Sequence, residues 1–342
     1  MNPLRLTAAF LALALLLVTP AAALAAAPPD VVFATAEQGR AVLTQRDDFV
    51  ERLSPFDRAA RLKRDSAVSE REFLSFVGAN VADWNAAQSQ RVTTALDTVR
   101  ENFRASKLTF PAGIMLIHTT GKEEGGAAYT RASAIVLPTG VLADKDQDLV
   151  QVLSHELFHV ISRREPRLRD RLYRSIGFEA CPEFVFPAAL ADRRITNPDA
   201  PRNDHRIKVD FAGQQIWAIP VLYADSAYTS NRGGEFFNYL QFRLALSEPE
   251  LATRPAGGEP RFVEVKALQG FFEQVGRNTQ YLIHPEEILA DNFAIAIAGK
   301  ADVPTPSVPQ QILRIMHEAV AAVGNGRGAA TAAPGHVARL KD

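Results

Sequence analysis

The chain is expected to be an α+β protein, predominantly helical, with a small mixed or antiparallel sheet beside a helix carrying Ser154-His155-Glu156-Leu157-Phe158-His159. Three observations lead there. Apolar residues recur at helical spacing over 37–105, as in Val92, Leu96, Val99 and Phe103, and again around the histidine run. Two β-type apolar runs, Ile114-Met115-Leu116-Ile117 and Ala134-Ile135-Val136-Leu137, are separated by the turn-forming Gly121 and Gly125-Gly126. Ile207-Lys208-Val209-Asp210-Phe211 alternates cleanly and is followed, after Gly213, by a second strand-like run over 215–223, together reading as a hairpin.

Taken in order, residues 1–25 read as a secretory signal peptide. Arg5 is basic, residues 6–18 are apolar apart from Thr7, and Ala23-Leu24-Ala25 offers small residues for cleavage after Ala25. The mature chain is then exported, to a periplasm or the extracellular medium, with no stable membrane span. The alternative is an uncleaved membrane anchor, because the apolar stretch extends through Ala27 to nearly spanning length; Pro20 and the short leucine core argue against it.

Residues 26–145 are expected to form an N-terminal helical region, over 37–105, and the sheet. Residues 146–323 form a catalytic region. Its first helix starts at Asp146, Gln147 and Asp148, repeats Leu149, Val150, Leu153, Leu157, Val160 and Ile161 at helical spacing, and stops at Pro166. A helix over 167–176, a turn-rich stretch over 197–206 and the hairpin follow. Helices are then expected over 236–246, 263–275, from His284 onward and over 312–323, with a connector at 249–260. The Gly- and Ala-rich tail, 324–342, is expected to be disordered.

Composition narrows the function. A net charge of −1 over 342 residues gives no sign of a nucleic-acid partner. The single cysteine, Cys181, cannot form an internal disulfide, so stability must come from the core, and the thiol reads as buried or half-buried rather than as an inhibitory metal ligand.

At about 100° per residue, His155 and His159 share one helix face opposite the apolar stripe. Imidazole is a good zinc ligand, and Glu156 is placed to take a proton from a water at the metal. Such a site needs a third protein ligand and one open position. The segment His284-Pro285-Glu286-Glu287-Ile288-Leu289-Ala290-Asp291 supplies one, with proline at the first helical position and acids in the first turn. Glu287 and Asp291 lie one turn apart, opposite Leu289, Phe293 and Ala296. Glu286 falls on another side, which favours Glu287 as ligand, and leaves Asp291 to accept a hydrogen bond from the far nitrogen of a ligating histidine. His118, at a strand end, and His284, before Pro285, are alternative ligands but read more simply as a structural histidine and a helix cap.

The pattern His155-Glu156-x-x-His159 followed by Glu287-x-x-x-Asp291 resembles the gluzincin branch of the zincin metallopeptidases, of which thermolysin is a familiar member. The resemblance covers two short helices, and the spacing between them is longer here than in thermolysin-like enzymes. It implies a zincin-like fold with one Zn2+ per chain held by His155, His159 and Glu287, water activation by Glu156, and orientation of His155 by Asp291. It also implies a tyrosine before the ligand glutamate as transition-state donor, here Tyr281, and an edge strand along the cleft, for which 114–117 and 134–137 are the candidates. The third histidine of metzincins is absent from 162–169. The expected function is an exported zinc metallopeptidase acting on peptide or protein substrates. The alternatives are a secreted zinc-bearing binding or inhibitory protein on the same scaffold without catalysis, and zinc hydrolysis of a non-peptide bond.

Overall fold

Short capped helices dominate the start of the described chain after a first strand, because hydroxyl, amide and carboxylate side chains stand where helices begin and take up the free N–H groups of the first turn. The computed structural model describes residues 30–144, 148–247 and 260–330. The expected signal peptide, Asp146 and Gln147 at the expected helix start, most of the 249–260 connector and residues 331–342 lie outside them. Strand β1 (Val31–Phe33) leads into α1 (Ala36–Leu43), α2 (Asp48–Arg52), α3 (Pro55–Leu62) and α4 (Glu70–Asn80). Capping boxes start α1 at Thr35/Gln38, α3 at Ser54/Asp57 and α4 at Ser69/Glu72. After β2 (Val81–Ala82), Asn85 and Gln88 cap the long α5 (Ala86–Ala105), which buries Val92, Leu96, Val99 and Phe103, the set expected from spacing.

The first sheet follows. It contains β3 (Ile114–Thr119), β4 (Tyr129–Arg131) and β5 (Ala134–Pro138), in the order β1-β3-β5-β4. Strands β1, β3 and β5 run parallel, β4 is antiparallel to β5, and β2 pairs antiparallel with the end of β3. The expected edge strands are therefore interior ones: residues 114–117 lie between β1 and β5, and 134–137 between β3 and β4. Their unbroken apolar character is that of strands buried on both faces. The edge nearer the histidine helix is the short β4, reached through a turn in which Gly121 has φ +85° and a β-carbon would come within 2.8 Å of Pro138.

Helix α6 (Thr139–Ala143) precedes the histidine helix α7 (Leu149–Arg164), whose N-cap Asp148 accepts from Gln151 N, and α8 (Pro166–Ser175). The second sheet is wholly antiparallel, in the order β10-β9-β8-β7-β6. It comprises β6 (Phe178–Ala180), β7 (His205–Phe211), β8 (Gln214–Ala224), β9 (Leu240–Ser247) and β10 (Arg261–Val263), with α9 (Ala188–Ala191) in the long β6–β7 connection. The expected hairpin is β7–β8. Two expected helices are not formed. Residues 236–246 make a 3-10 turn at Phe236–Tyr239 and then β9, because Leu240, Phe242, Leu244 and Leu246 also alternate with period two and β8 offers a long edge to pair. Residues 263–275 make the end of β10, a 3-10 turn at Val265–Ala267 and the short α10 (Phe271–Val275), interrupted at Gly270, which has φ +80°.

Helices α11 (Pro285–Ile297) and α12 (Ser307–Ala330) complete the described chain. The last helix continues past Gly324, where a disordered tail was expected. One core draws Leu96, Phe103, Leu116, Leu153, Phe158, Phe271, Phe293 and Ile312 together from both halves of the chain.

An ion-pair cluster joins the N-terminal helices to the rest. Arg61, buried in α3, donates to Asp57 at 2.7 Å, to both oxygens of Glu124 at 2.8 Å, and to Thr196 O at 3.2 Å. Replacing Arg61 by Ala strands two buried carboxylates, so we expect a loss of about 3–5 kcal/mol in urea unfolding; a loss below about 1 kcal/mol would show the cluster to be dispensable.

Candidate metal centre

Helix α7 presents His155 and His159 one turn apart, and α11 packs across that face. The face opposite the apolar stripe is therefore covered by a second helix instead of facing water. His159 is fully buried, as are Glu286 and Glu287, and only the edge of His155 reaches solvent.

Each imidazole is held by one nitrogen, which leaves the other for a ligand. Nδ1 of His155 lies 2.8 Å from Oδ1 of Asp291, and Nδ1 of His159 lies 3.0 Å from Oε1 of Glu286. Their Nε2 atoms converge on Glu287, with Oε2 at 3.1 Å from His155 and 3.5 Å from His159. The ligand atoms of His155, His159 and Glu287 all fall within 4.8 Å of one another. Nε2 of His159 is buried without a hydrogen-bond partner. Such an orphan is uncommon in folded proteins and requires a reason. Two imidazole nitrogens and a carboxylate oxygen, with both outer nitrogens tied to carboxylates, is the donor set and support that zinc takes.

The structure thus brings together every expected ligand and adds a residue that sequence reasoning passed over. Glu286 is the counterpart of Asp291: it orients His159 and itself accepts from Ser162 Oγ at 2.6 Å and from the Tyr173 hydroxyl. Its neighbour His284 caps α11, its Nδ1 accepting from Glu286 N, as expected of a cap. His118 lies apart, held by Asp83 O and the Thr139 hydroxyl. The signal for Glu286 was available, since adjacent glutamates about 100° apart can serve two ligands on a facing helix.

Glu156 is buried beside the trio, one carboxylate oxygen accepting from Thr130 Oγ1 at 2.7 Å. Thr130 belongs to β4, so the edge strand fixes the glutamate's direction. Tyr281 lies at the mouth, 43 % exposed, its ring centroid 6.2 Å from that of His155. Its loop is tied to the site through Thr279, which accepts from Tyr281 N and donates to Asp291. A phenol is a proton donor near neutrality in any case, and partial burial first, then the carboxylates of Glu287, Asp199, Glu156 and Asp291, push this one further up.

The two histidines and Glu287 favour one another's charged forms. Burial works against charge on His155, yet hydrogen bonds to Asp291 and Glu287 hold its imidazole up to about 10. Burial opposes charge on His159 as well, and Asp199, Glu287 and Glu286 outweigh it. Glu287 stays well below the carboxylate range despite its burial, because both histidines face it. A cation entering here displaces these protons.

Two further side chains reach the trio from the stretch between β6 and β7. Asn197 Nδ2 donates to Glu287 Oε1 at 2.6 Å. The carboxylate of Asp199 forms a second close group with Glu156 and His159, their ligand atoms also within 4.8 Å. Neither is marked in the sequence, where 197–206 shows only turn composition.

Cys181 belongs to neither close group of possible ligands and is half-buried against the cluster of Phe184, Ile219 and Val221. Set against known proteins, the chain matches no family model, no curated protein and no solved structure.

Two outcomes are expected. Glu286→Gln and Asp291→Asn should each weaken zinc binding by about 10–100-fold in a chelator competition; an unchanged affinity for Glu286→Gln would leave that residue a purely structural role. Burial pushes the Cys181 thiol up to about 11. Its alkylation should therefore be slow at neutral pH, rise about tenfold per pH unit until that value, and be indifferent to chelator; faster labelling after metal removal would place Cys181 on the metal.

Proposed function

We propose that the chain is an exported zinc-dependent peptidase of the zincin type, with His155, His159 and Glu287 as ligands for one zinc ion. The observation that carries this reading is the buried, partnerless Nε2 of His159 converging with Nε2 of His155 on Glu287 while both Nδ1 atoms are held by carboxylates. Held by His155, His159 and Glu287, a zinc ion would supply a Lewis acid for a scissile carbonyl and would make a water nucleophilic near neutral pH. Glu156, directed by Thr130, takes the proton of the attacking water and returns it to the leaving amine. Tyr281, kept protonated at the mouth, donates to the developing oxyanion. Asp291 and Glu286 hold the imidazole tautomers, and the buried helix pair keeps bulk water from the ligands.

Export rests on the composition of residues 1–25. No helix among the described residues is long and apolar enough to cross a membrane. A second reading, a zinc-bearing binding or inhibitory protein without catalysis, is favoured by one observation: Asn197 and Asp199 crowd the ligands. A peptide-library digest separates the two.

The purified mature protein should carry about one zinc by elemental analysis, lost in Glu287→Ala. Glu156→Gln should keep the zinc and lose peptide hydrolysis by about 10²–10⁴-fold. Normal turnover by a folded, zinc-loaded Glu156→Gln would remove the glutamate from the chemistry, and a zinc-free wild type under metal-replete conditions would remove the metal centre.

A further inference from the structure

Resting on the peptidase reading above, we propose that the centre acts on short peptides and is closed to an extended chain, because Asp199 and Arg163 already occupy the strand edge that would hold such a chain.

Strand β4 is the edge beside Glu156, and it is three residues long. In an antiparallel pair, successive residues turn their main-chain groups alternately toward the partner strand and away from it. The middle residue, Thr130, stands opposite Ile135, and its N–H and C=O are the pair that turn away from β5. An extended peptide adds to a sheet through such a pair. Here both groups are engaged. Thr130 N donates to Oδ1 of Asp199 at 2.7 Å, and Thr130 O accepts from Arg163 at 3.5 Å. The carbonyl of Ala132, just past the strand, accepts from the same guanidinium at 2.9 Å.

The cover is held from three helices. Arg163, in the last turn of α7, also donates to the carbonyls of Pro198 at 3.4 Å and Asp199 at 3.1 Å. Asn197 accepts from Asp199 N at 3.0 Å and donates to Glu287 of α11 at 2.6 Å. Thr196 N donates to Asp57 of α3 at 3.2 Å, and Thr196 O accepts from Arg61 of the same helix. The covered edge is thus part of the folded site.

The room left at the mouth is small. A cavity of about 50 Å³ lies against Asn197, Asp199 and Tyr281, with apolar walls from Leu222, Phe236 and Ile283. That is space for one small side chain, where ordinary ligand clefts offer several hundred Å³. A larger cavity, about 300 Å³, also touches Asp199, but none of His155, Glu156, His159, Glu287 and Tyr281 stands in its wall. Covering an edge also keeps chains from pairing with one another, and the consequence for a substrate is the same. Affinity has to come from contacts close to the scissile bond, and lengthening a peptide along β4 adds none.

The test compares lengths on the full mature chain loaded with zinc. Acetohydroxamate and prolyl-leucyl-glycine hydroxamate share one zinc-binding group and differ only in length, and calorimetry reads their affinities without turnover. A strand added to β4 through two main-chain hydrogen bonds would make the tripeptide tighter by about tenfold or more, whereas wild type is expected to bind the two within about threefold. Freeing both groups of Thr130 in Arg163→Ala/Asp199→Ala should raise that ratio about tenfold. A tenfold preference for the tripeptide in wild type, or a ratio unmoved in the zinc-loaded double variant, would overturn the closed edge. In a parallel digest, di- and tripeptides should be cut and unfolded chains of twenty residues with blocked ends left whole; equal cleavage of both would overturn it too. A zinc-loaded wild type that cuts no peptide of either length would overturn the peptidase reading, on which the hydroxamate ratio does not depend.

Discussion

The site depends on one packing event, the burial of the histidine face of α7 against the first two turns of α11. Neither helix could bury that face alone. Imidazoles and carboxylates withdrawn from water cost several kcal/mol each unless they find partners, and here each finds its partner on the opposite helix. His155 takes Asp291, His159 takes Glu286, and Glu287 lies between the two imidazoles. The apolar sides of the same helices, through Leu153, Leu157, Leu289 and Phe293, lock them into the common core, so the polar register follows from the apolar one.

A second constraint acts from a distance. Asp57 completes the capping box of α3, pairs with Arg61, and also receives Thr196 N. A residue that starts an N-terminal helix therefore sets the position of the stretch carrying Asn197 and Asp199. Because the Arg61 cluster is excluded from water, its bonds are strong and its geometry tolerates little slack. The N-terminal helices thus take part in shaping the site, although none of their side chains belongs to it.

The legible parts of the chain share a physical character. Capped, strongly periodic helices are legible because capping and amphipathic spacing are local: α5 buries the expected Val92, Leu96, Val99 and Phe103, and α7 buries Leu149, Leu153, Leu157 and Val160 of its expected stripe while Val150 and Ile161 stay half-buried. The misread parts were those where two periods fit the same residues. Over 236–246 the apolar pattern allows helix or strand, and only the availability of β8 as a pairing partner decides for β9. Strands 114–117 and 134–137 were recognised but placed at an edge, because sheet order is a long-range property and their continuous apolar character already suited the interior. Glu286 was seen on its own face of α11 without its partner, which lies on another helix.

The sequence by itself determined the spacing of His155, Glu156 and His159 and of Glu287 and Asp291, since helical pitch turns residues four apart into neighbours whatever surrounds them. It also determined the α+β character and the split of each site helix into an apolar and a polar face. Only the tertiary structure decided which carboxylate serves which histidine, that the short β4 is the edge beside Glu156, and that a turn-rich stretch brings Asn197 to Glu287 and Asp199 to His159. Those outcomes are sums of many weak contacts between segments far apart in the chain, and no local periodicity encodes them.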